Sequence, residues 1–524
     1  MRVLLANAYF YRLDPKQWRD ARPYPPLATI QAAAYLRGDH EVKVFDTCLR
    51  HSPEELVDAI REFGPDVLAI HDDGFNYLTK MCLTVMREAC FRMITIGKEQ
   101  GCRVVVNSSD STDHFPDYLA KGADAVIMGE GEATLQELMD LWKDGGHMHE
   151  PVILNQSSSV GSFRVRSVRD LKDPSSQSLL RMTDRLEPGS LSSIPGLAFM
   201  HNGVAQRTAA RPVFRNLDQL PIPAWDLVDP APYKAIWEGS QGFFSLNVAT
   251  TRGCPFKCNW CAKPIYGNRY NSRSPAHVAD EIAWLYAHHR PEHIWFCDDI
   301  FGLKPGWVQA FGAELRLRGI RIPFKIQSRV DLLLESDTID ALAAAGLQEV
   351  WVGAESGSQK ILDAMDKGTT VQQIGKATRL LHEKGIRVGF FLQFGYLGET
   401  DEDIDATLHM LEELQPDDIG ISVSYPLPGT KFHEMVKDQL GPKANWSDSD
   451  DLAMMFRNTH RPAFYKRLHR YVHKRFRRRQ ALTEWQSIVH APLGKPHDLR
   501  RAASAAYYLP AAVIDRFRLE RLRA

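Results

Sequence analysis

Three cysteines stand close together in the run TTRGCPFKCNWCAKP: Cys254, Cys258 and Cys261. Scattered at random, the chain's cysteines would produce a C-x3-C-x2-C pattern with an expected count of roughly 0.002, so the spacing is chemical rather than accidental. Thiolates bind soft metals, and two kinds of centre compete. Structural zinc wants four ligands, commonly as two paired half-sites, and no second C-x2-C or H-x3-H half lies near the run. An iron-sulfur cluster is normally held by four thiolates. Three on one loop leave one iron without a protein ligand, and a small molecule can chelate that open position, as a catalytic site requires. The remaining cysteines, Cys48, Cys82, Cys90, Cys102 and Cys297, offer no second triad; in a large chain of a reducing compartment they read as free thiols, with Cys297 a buried strand residue.

A loop of this kind must be held at a strand end, and the hydrophobic periodicity around it supplies the strands. From Phe243 to Leu427, apolar runs at Leu246–Thr250, His293–Cys297, Phe324–Gln327, Glu349–Val352, Val388–Phe394 and Ile419–Val423 alternate with helical patterns. Six such units fit a partial or complete β/α barrel, whose active site lies at the C-terminal ends of its strands. Chemical groups sit there: the triad after the first strand, Asp298 and Asp299 after the second, Gln327 and Arg329 at the third, Glu355 and Ser356 after the fourth. Glu355 and Ser356 read equally as the acidic first turn and cap of a helix, and Asp298 and Asp299 as caps of the next one.

Residues 1–145 show the same alternation, with strands expected at Val3–Ala6, Glu41–Phe45, Val67–His71, Arg103–Asn107 and Ala125–Met128 and helices at Leu27–Leu36, Pro53–Phe63, Leu78–Glu99 and His114–Ala120. This is a doubly wound, Rossmann-like α/β domain, which binds ligands at the carboxyl ends of its strands. Those ends carry Asn7; His71, Asp72, Asp73 and Gly74; Ser108 and Ser109; and Gly129, Glu130 and Gly131. The two glycines also read simply as a tight turn. Residues 146–240, with Ser157, Ser158 and Ser159, a hairpin expected around His201-Asn202-Gly203 and the stretch LDQLPIPAWDLVDPAPY, read as a linking segment on the surface. The barrel is expected over 241–440 and a helical C-terminal domain over 441–524.

Composition narrows the class further. At 44% hydrophobic and 25% charged the 524 residues are those of an ordinary globular protein of about three domains. Lys+Arg 64 against Asp+Glu 65 gives a net charge of -1, so no nucleic-acid partner is expected. No apolar run is long enough to cross a bilayer, and MRVLLANAYFYRLD reads as a first strand rather than a secretory signal; a cytoplasmic location is expected. The charge is uneven, because Arg461–Ala524 holds 16 Lys+Arg against 4 Asp+Glu, a net +12. Its run KRLHRYVHKRFRRRQ reads either as a solvated helix face with Tyr471 and Phe476 packing inward, or as a surface for an anionic or lipid-like substrate and peripheral contact with a membrane.

The triad, with Trp260 before its third cysteine, resembles the cluster loop of the radical S-adenosylmethionine (SAM) enzymes. FCDDIF, WVGAESGSQKILDAMDKGTT, FLQFGYLGET and YPLPGT are similar to that superfamily's later strand motifs, so the resemblance spans roughly residues 243–435. It implies a 4Fe-4S cluster on Cys254, Cys258 and Cys261, and SAM chelated to the open iron. It also implies SAM contacts from Glu355 and Ser356, with Gln327, Arg329 and Gln393 as candidates for its carboxylate or ribose and Asp298 and Asp299 for its amino group or the substrate. An external one-electron reductant of the flavodoxin or ferredoxin type is implied as well.

A doubly wound domain ahead of such a barrel resembles the cobalamin-binding class of the superfamily, which includes carbon and phosphorus methylases and the anaerobic magnesium-protoporphyrin ester cyclase. KGADAVIMGEGEATLQEL is similar to the end of their cobalamin domain. The D-x-H-x-x-G signature of other cobalamin enzymes is absent, because His71 lacks the preceding Asp, so the resemblance implies cobalamin held without a histidine ligand. The implied activity is methylation of an unactivated carbon of a small-molecule substrate; the alternative is oxidative or ring-forming chemistry on the same architecture. Methylthiolation of transfer RNA would need a second cluster.

Overall fold

A computed structural model of the chain describes residues 1–72, 74–75, 82–144, 190–443, 445–490 and 503–523. The Ser157–Ser159 stretch, Asp73 and the start of the helix expected from Leu78 lie outside the described residues. The first sheet is built from β1 (Arg2–Ala6), β2 (Glu41–Phe45), β3 (Val67–His71), β4 (Arg103–Asn107), β5 (Ala125–Ile127), β6 (Leu197–His201) and β7 (Val204–Arg207) in the order β2-β1-β3-β4-β5-β6-β7. The first five strands are parallel. Side chains alternate between two helix layers: Val3, Leu5, Val67, Ala69, Val105 and Ile127 enter one core, and Leu4, Ala6, Leu68, Ile70, Val104 and Val106 the other. That double burial is why the strands read as unbroken apolar runs.

The hairpin expected around His201-Asn202-Gly203 forms, with Asn202 and Gly203 at positive φ, but it is no surface connection. β6 pairs antiparallel with β5, Val126 opposite Ala198, and buries Leu197 and Ala198 completely. The stretch read as a linker therefore completes the first sheet.

The second sheet joins β8 (Ser245–Val248), β11 (His293–Phe296), β12 (Phe324–Ser328), β13 (Leu347–Glu355), β14 (Arg387–Phe394) and β15 (Asp418–Val423), all parallel, in the order β15-β14-β13-β12-β11-β8. β8 and β15 do not pair, so this is a partial barrel. Leu246, Val248, Ile294, Phe296, Ile326, Val350, Val352, Val388 and Phe390 face the surrounding helices in the main core. By the two-residue period, Asn247, Trp295, Lys325, Gln327, Trp351, Phe391 and Gln393 take the inner face. A two-stranded ribbon, β9 (Thr251–Arg252) against β10 (Asn271–Ser272), brackets residues 253–270, and the cysteine loop is the excursion between its strands.

The C-terminal region is two helices, Pro462–His490 and Ala505–Arg523, packed on each other and on the barrel. Tyr471 and Phe476 do pack inward. Part of the basic run is ion-paired rather than solvated: Arg467 and Lys474 both pair with buried Asp515, Arg475 with Glu412 and Arg477 with Asp418, and further on Arg523 pairs with Asp401 and Asp405. Part of the regional surplus is thus offset by acids of the helix Asp401–Leu414 and the strand after it. The preceding segment returns to the first domain, where Trp446 stacks on Tyr425 at 3.7 Å and its carbonyl accepts from the Thr84 amide at 2.8 Å. Among the described residues no helix is long and apolar enough to cross a membrane.

Candidate functional site

The cysteine loop is fixed at four points before any ligand is considered. At its start, Asp298 accepts hydrogen bonds from the Thr250 amide, the Thr250 hydroxyl and the Thr251 amide, each at 2.7 Å. Burial still lifts this carboxyl to about 6. Next comes Gly253, at φ 78, where a Cβ would drive into the Arg269 carbonyl, so no other residue fits. Gly253→Ala is expected to cost about 1–3 kcal/mol and to lower the iron bound per chain, as thermal unfolding and iron assay would register. In mid-loop, Asn259 donates to the Ala364 carbonyl at 2.7 Å and accepts from the Tyr396 hydroxyl at 2.8 Å. Lys263 then closes the loop on the Phe256 carbonyl at 2.7 Å.

All three thiols are free. Cys254 is buried and Cys258 and Cys261 are half-buried. Burial pushes the Cys254 thiol up and the Cys261 thiol to about 12, with Asp299 and the neighbouring cysteines adding to both; Asp299 is exposed beside them. Soft thiol donors of this kind fit an iron-sulfur cluster. Trp260 Nε1 in the loop, and Thr369 Oγ1, Gln393 Oε1 and Ser424 Oγ on the barrel, are buried polar atoms with no hydrogen-bond partner. Buried polar groups normally find partners, and such a set suits a polar ligand at the strand ends.

Glu355 ends β13 in the left-handed region, φ 56, a strained position for a non-glycine residue. Its carboxylate pairs with buried Lys367 at 2.7 Å, and Lys367 stands within electrostatic reach of Cys258. The Lys367 carbonyl accepts from Arg329 at 2.9 Å, and the Arg329 guanidinium lies 3.7 Å over the Phe256 ring. Glu355 and Arg329 are thereby brought to the cysteine loop, through Lys367 and Phe256, which sequence reasoning did not single out. Gln327, half-buried, is on the same inner face. Ser356 is different: it is fully buried, shares a hydrogen bond with Thr407 at 3.1 Å and accepts from the Ser358 amide, so it locks the turn.

Further along this rim, Glu399 is fully buried, accepts from the Gly395 amide at 2.6 Å, and burial raises it to about 8. A carboxyl whose folded pKa lies above its unfolded value stabilises the fold while protonated. Stability should therefore fall as pH rises from about 4.5 to about 8, by on the order of 1.4 kcal/mol per pH unit, and level off above that. Denaturant titrations across this range, with Glu399→Gln flattening the slope, check it.

In the first domain the strand ends divide into fixed and unfilled groups. Asn7 ties β1 to β2, accepting from the Thr47 amide at 3.1 Å. Ser108 caps the helix Ser109–Asp113 through a reciprocal pair with Ser111. Asp72 accepts weakly from the Ala8 amide at 3.3 Å. Gly129 adopts φ 81 and abuts the Ile265 carbonyl, while a Cβ on Gly131 would lie 2.7 Å from His71 Nε2. Both ring nitrogens of buried His71 and the Ser109 hydroxyl have no partner. His71, Asp72, Ser108, Ser109 and Gly131 line one small pocket, which Ile265 and Tyr266 of the cysteine loop line from the other side. The strand ends of the first sheet therefore face the cysteine loop across it. Its unpartnered polar groups fit a polar cofactor.

Glu130 has another role. Its carboxylate accepts from Arg252 at 2.6 Å and from the Phe214 amide at 2.6 Å, and Arg252 also binds Glu132 at 2.5 Å. The guanidinium sits among the Phe75 and Tyr266 rings at 5.8 and 5.2 Å. Arg252, two residues before Cys254, thus staples the cysteine loop to the first domain. Glu130, expected at a cofactor, is half of that staple.

Comparison with known proteins agrees with this geometry. Residues 248–411 match the radical SAM superfamily. An uncharacterised methyltransferase of Pyrococcus horikoshii is 27% identical over 434 residues, 80% of this chain and 81% of that protein. The anaerobic magnesium-protoporphyrin IX monomethyl ester cyclase of Cereibacter sphaeroides is 30% identical over 251 residues, 47% of this chain and 40% of its own length. The structure of the radical SAM methyltransferase TsrM of Kitasatospora setae, with cobalamin and a [4Fe-4S] cluster bound, superposes with a TM-score of 0.63 at 19% identity, covering 89% of this chain and 84% of that one.

Proposed function

We propose, from the match of residues 248–411 to the radical SAM superfamily, that the chain is a cobalamin-dependent C-methyltransferase acting on a small molecule. The observation that carries the reading is the pocket between the strand ends of the first sheet and the cysteine loop, lined by unpartnered His71 and Ser109 on one side and by Ile265 and Tyr266 of that loop on the other. When bound, the cluster with SAM supplies a radical able to open an unactivated C–H bond, and cobalamin supplies the methyl group. Cys254, Cys258 and Cys261 hold the cluster. Gln393, Trp260 and Thr369 offer free polar atoms to SAM, with Glu355, Gln327 and Arg329 beside them and Asp299 at the exposed edge. Asp298, Asn259 and Lys263 keep the loop in one conformation, and the Arg252 staple holds the two half-sites together, so that reacting groups meet with little reorganisation.

His71, Asp72, Ser109, Gly129 and Gly131 form the cobalamin side. Hydroxocobalamin added to the anaerobic protein is expected to stay with it through desalting, giving a coloured 1:1 complex, and Ser109→Trp, which fills the cavity, is expected to lose it. A protein that emerges colourless in both forms counts against the reading. The 30% identity to the Cereibacter cyclase favours the second reading, an oxidative cyclisation without methyl transfer.

A one-electron reductant of the flavodoxin or ferredoxin type feeds the cluster. Peripheral contact with a membrane is supported by the terminal helix, where Val513, Ile514 and Phe517 are 45%, 48% and 68% exposed beside Arg518 and Arg521.

A further inference from the structure

The inner face of the barrel sheet carries a flat aromatic surface that no step above uses. Trp351 stands in register between Gln327 and Gly389, and Phe391 between Gly353 and Gly420. Each large ring thus has glycine beside it on the neighbouring strand. A Cβ on Gly389 would run into the Trp351 ring, and one on Gly420 would come within 3.3 Å of Phe391 and 3.4 Å of Trp351. Without those β-carbons the rings lie down against the sheet instead of standing off it, 4.8 Å apart and inclined at 35°. Trp351 is oriented by its indole N–H, which donates to Glu349 at 2.7 Å.

Phe391 remains 37% exposed while the neighbouring inner-face residues Gly389 and Gln393 are buried. A large ring held open on the concave side of a sheet offers apolar contact to something flat. Polar groups border it on that side: Gln393, with its unpartnered Oε1, two residues on along β14, and the Glu355–Lys367 pair above Gly353.

We propose that Trp351 and Phe391 form the floor of the substrate site and receive the flat face of a conjugated or aromatic ring, with Gln393 hydrogen-bonding to its polar edge. The inference rests on the methyltransferase reading only in calling the owner of that ring the substrate. Stacked or offset aromatic contacts add to simple area burial, so planarity, and not hydrophobicity alone, is what the site selects. An aliphatic, lipid-like occupant is the competing outcome.

The test uses two matched probes, 2-naphthoate and its saturated counterpart decahydro-2-naphthoate, titrated calorimetrically into the full-length protein. Naphthoate is expected to bind about five- to tenfold more tightly than the saturated acid. Phe391→Leu keeps the bulk but should erase the preference, and Gly389→Val, which displaces Trp351, should weaken naphthoate in particular. Equal affinity for the two acids, a preference that survives Phe391→Leu, or no binding of naphthoate at all overturns the proposal. Cleavage of SAM to 5'-deoxyadenosine without substrate is measured alongside in the wild-type protein. A wild-type protein that binds naphthoate selectively but cleaves no SAM would sink the functional reading and leave the aromatic floor standing.

Discussion

Replacing Arg252 by methionine is expected to cost about 3–5 kcal/mol of folding free energy, because it leaves Glu130 and Glu132 buried, adjacent and without their cation. Arg252 is 4% exposed, and Glu130 and Glu132 are 6% and 2% exposed, so water cannot take its place. Burial already holds the Glu130 carboxyl above its usual range even with the guanidinium present. Arg252→Lys should fall between, since a single ammonium replaces a fork that binds two carboxylates at once. Methionine at 252 combined with glutamine at 130 and 132 should recover part of the loss, because no charge is then stranded. Urea denaturation reads all three. A loss under about 1 kcal/mol in Arg252→Met would mean that the staple is solvated and does not join the two domains. The same variant should retain less hydroxocobalamin, because Glu132 and Tyr266, which it releases, line the shared cavity.

The second large effect is on activity. Changing any one of Cys254, Cys258 or Cys261 to alanine is expected to abolish the visible absorption of a reconstituted cluster and reduce SAM cleavage to background, since the loop has no spare thiol. Cys297→Ala is the matched control. Its thiol is buried and donates to the Val248 carbonyl at 3.4 Å, so its replacement should leave iron content and SAM cleavage unchanged. Retention of a full cluster by Cys258→Ala would remove the triad from the cofactor.

The strands were legible because burial on both faces writes itself into sequence as continuous apolar runs: β3 and β4 begin and end where periodicity places them. The triad was legible because its three members share one loop. Much of the rest depends on partners far apart in the chain. Glu130 looks like a ligand at a strand end until Arg252, 122 residues later, takes its carboxylate. Ser356 looks like a SAM contact until Thr407 is beside it. Asn259, Lys367 and Trp351 carry no local signature, and only the closing of the partial barrel gives them work. The C-terminal charge misled for a related reason, because its counter-charges lie on Asp401–Leu414, and composition counted over one segment cannot see them.

In the proposed enzyme one chain brings SAM to a cluster and to cobalamin across a single cavity. The most direct measurement is product analysis after the reconstituted, cobalamin-loaded protein is reduced and given SAM with no other substrate. Two products are expected: 5'-deoxyadenosine, from reductive cleavage at the cluster, and S-adenosylhomocysteine, from loss of the methyl group, the second only when cobalamin is present. Formation of 5'-deoxyadenosine alone by a cobalamin-loaded protein would contradict methyl transfer and favour the cyclase-like reading.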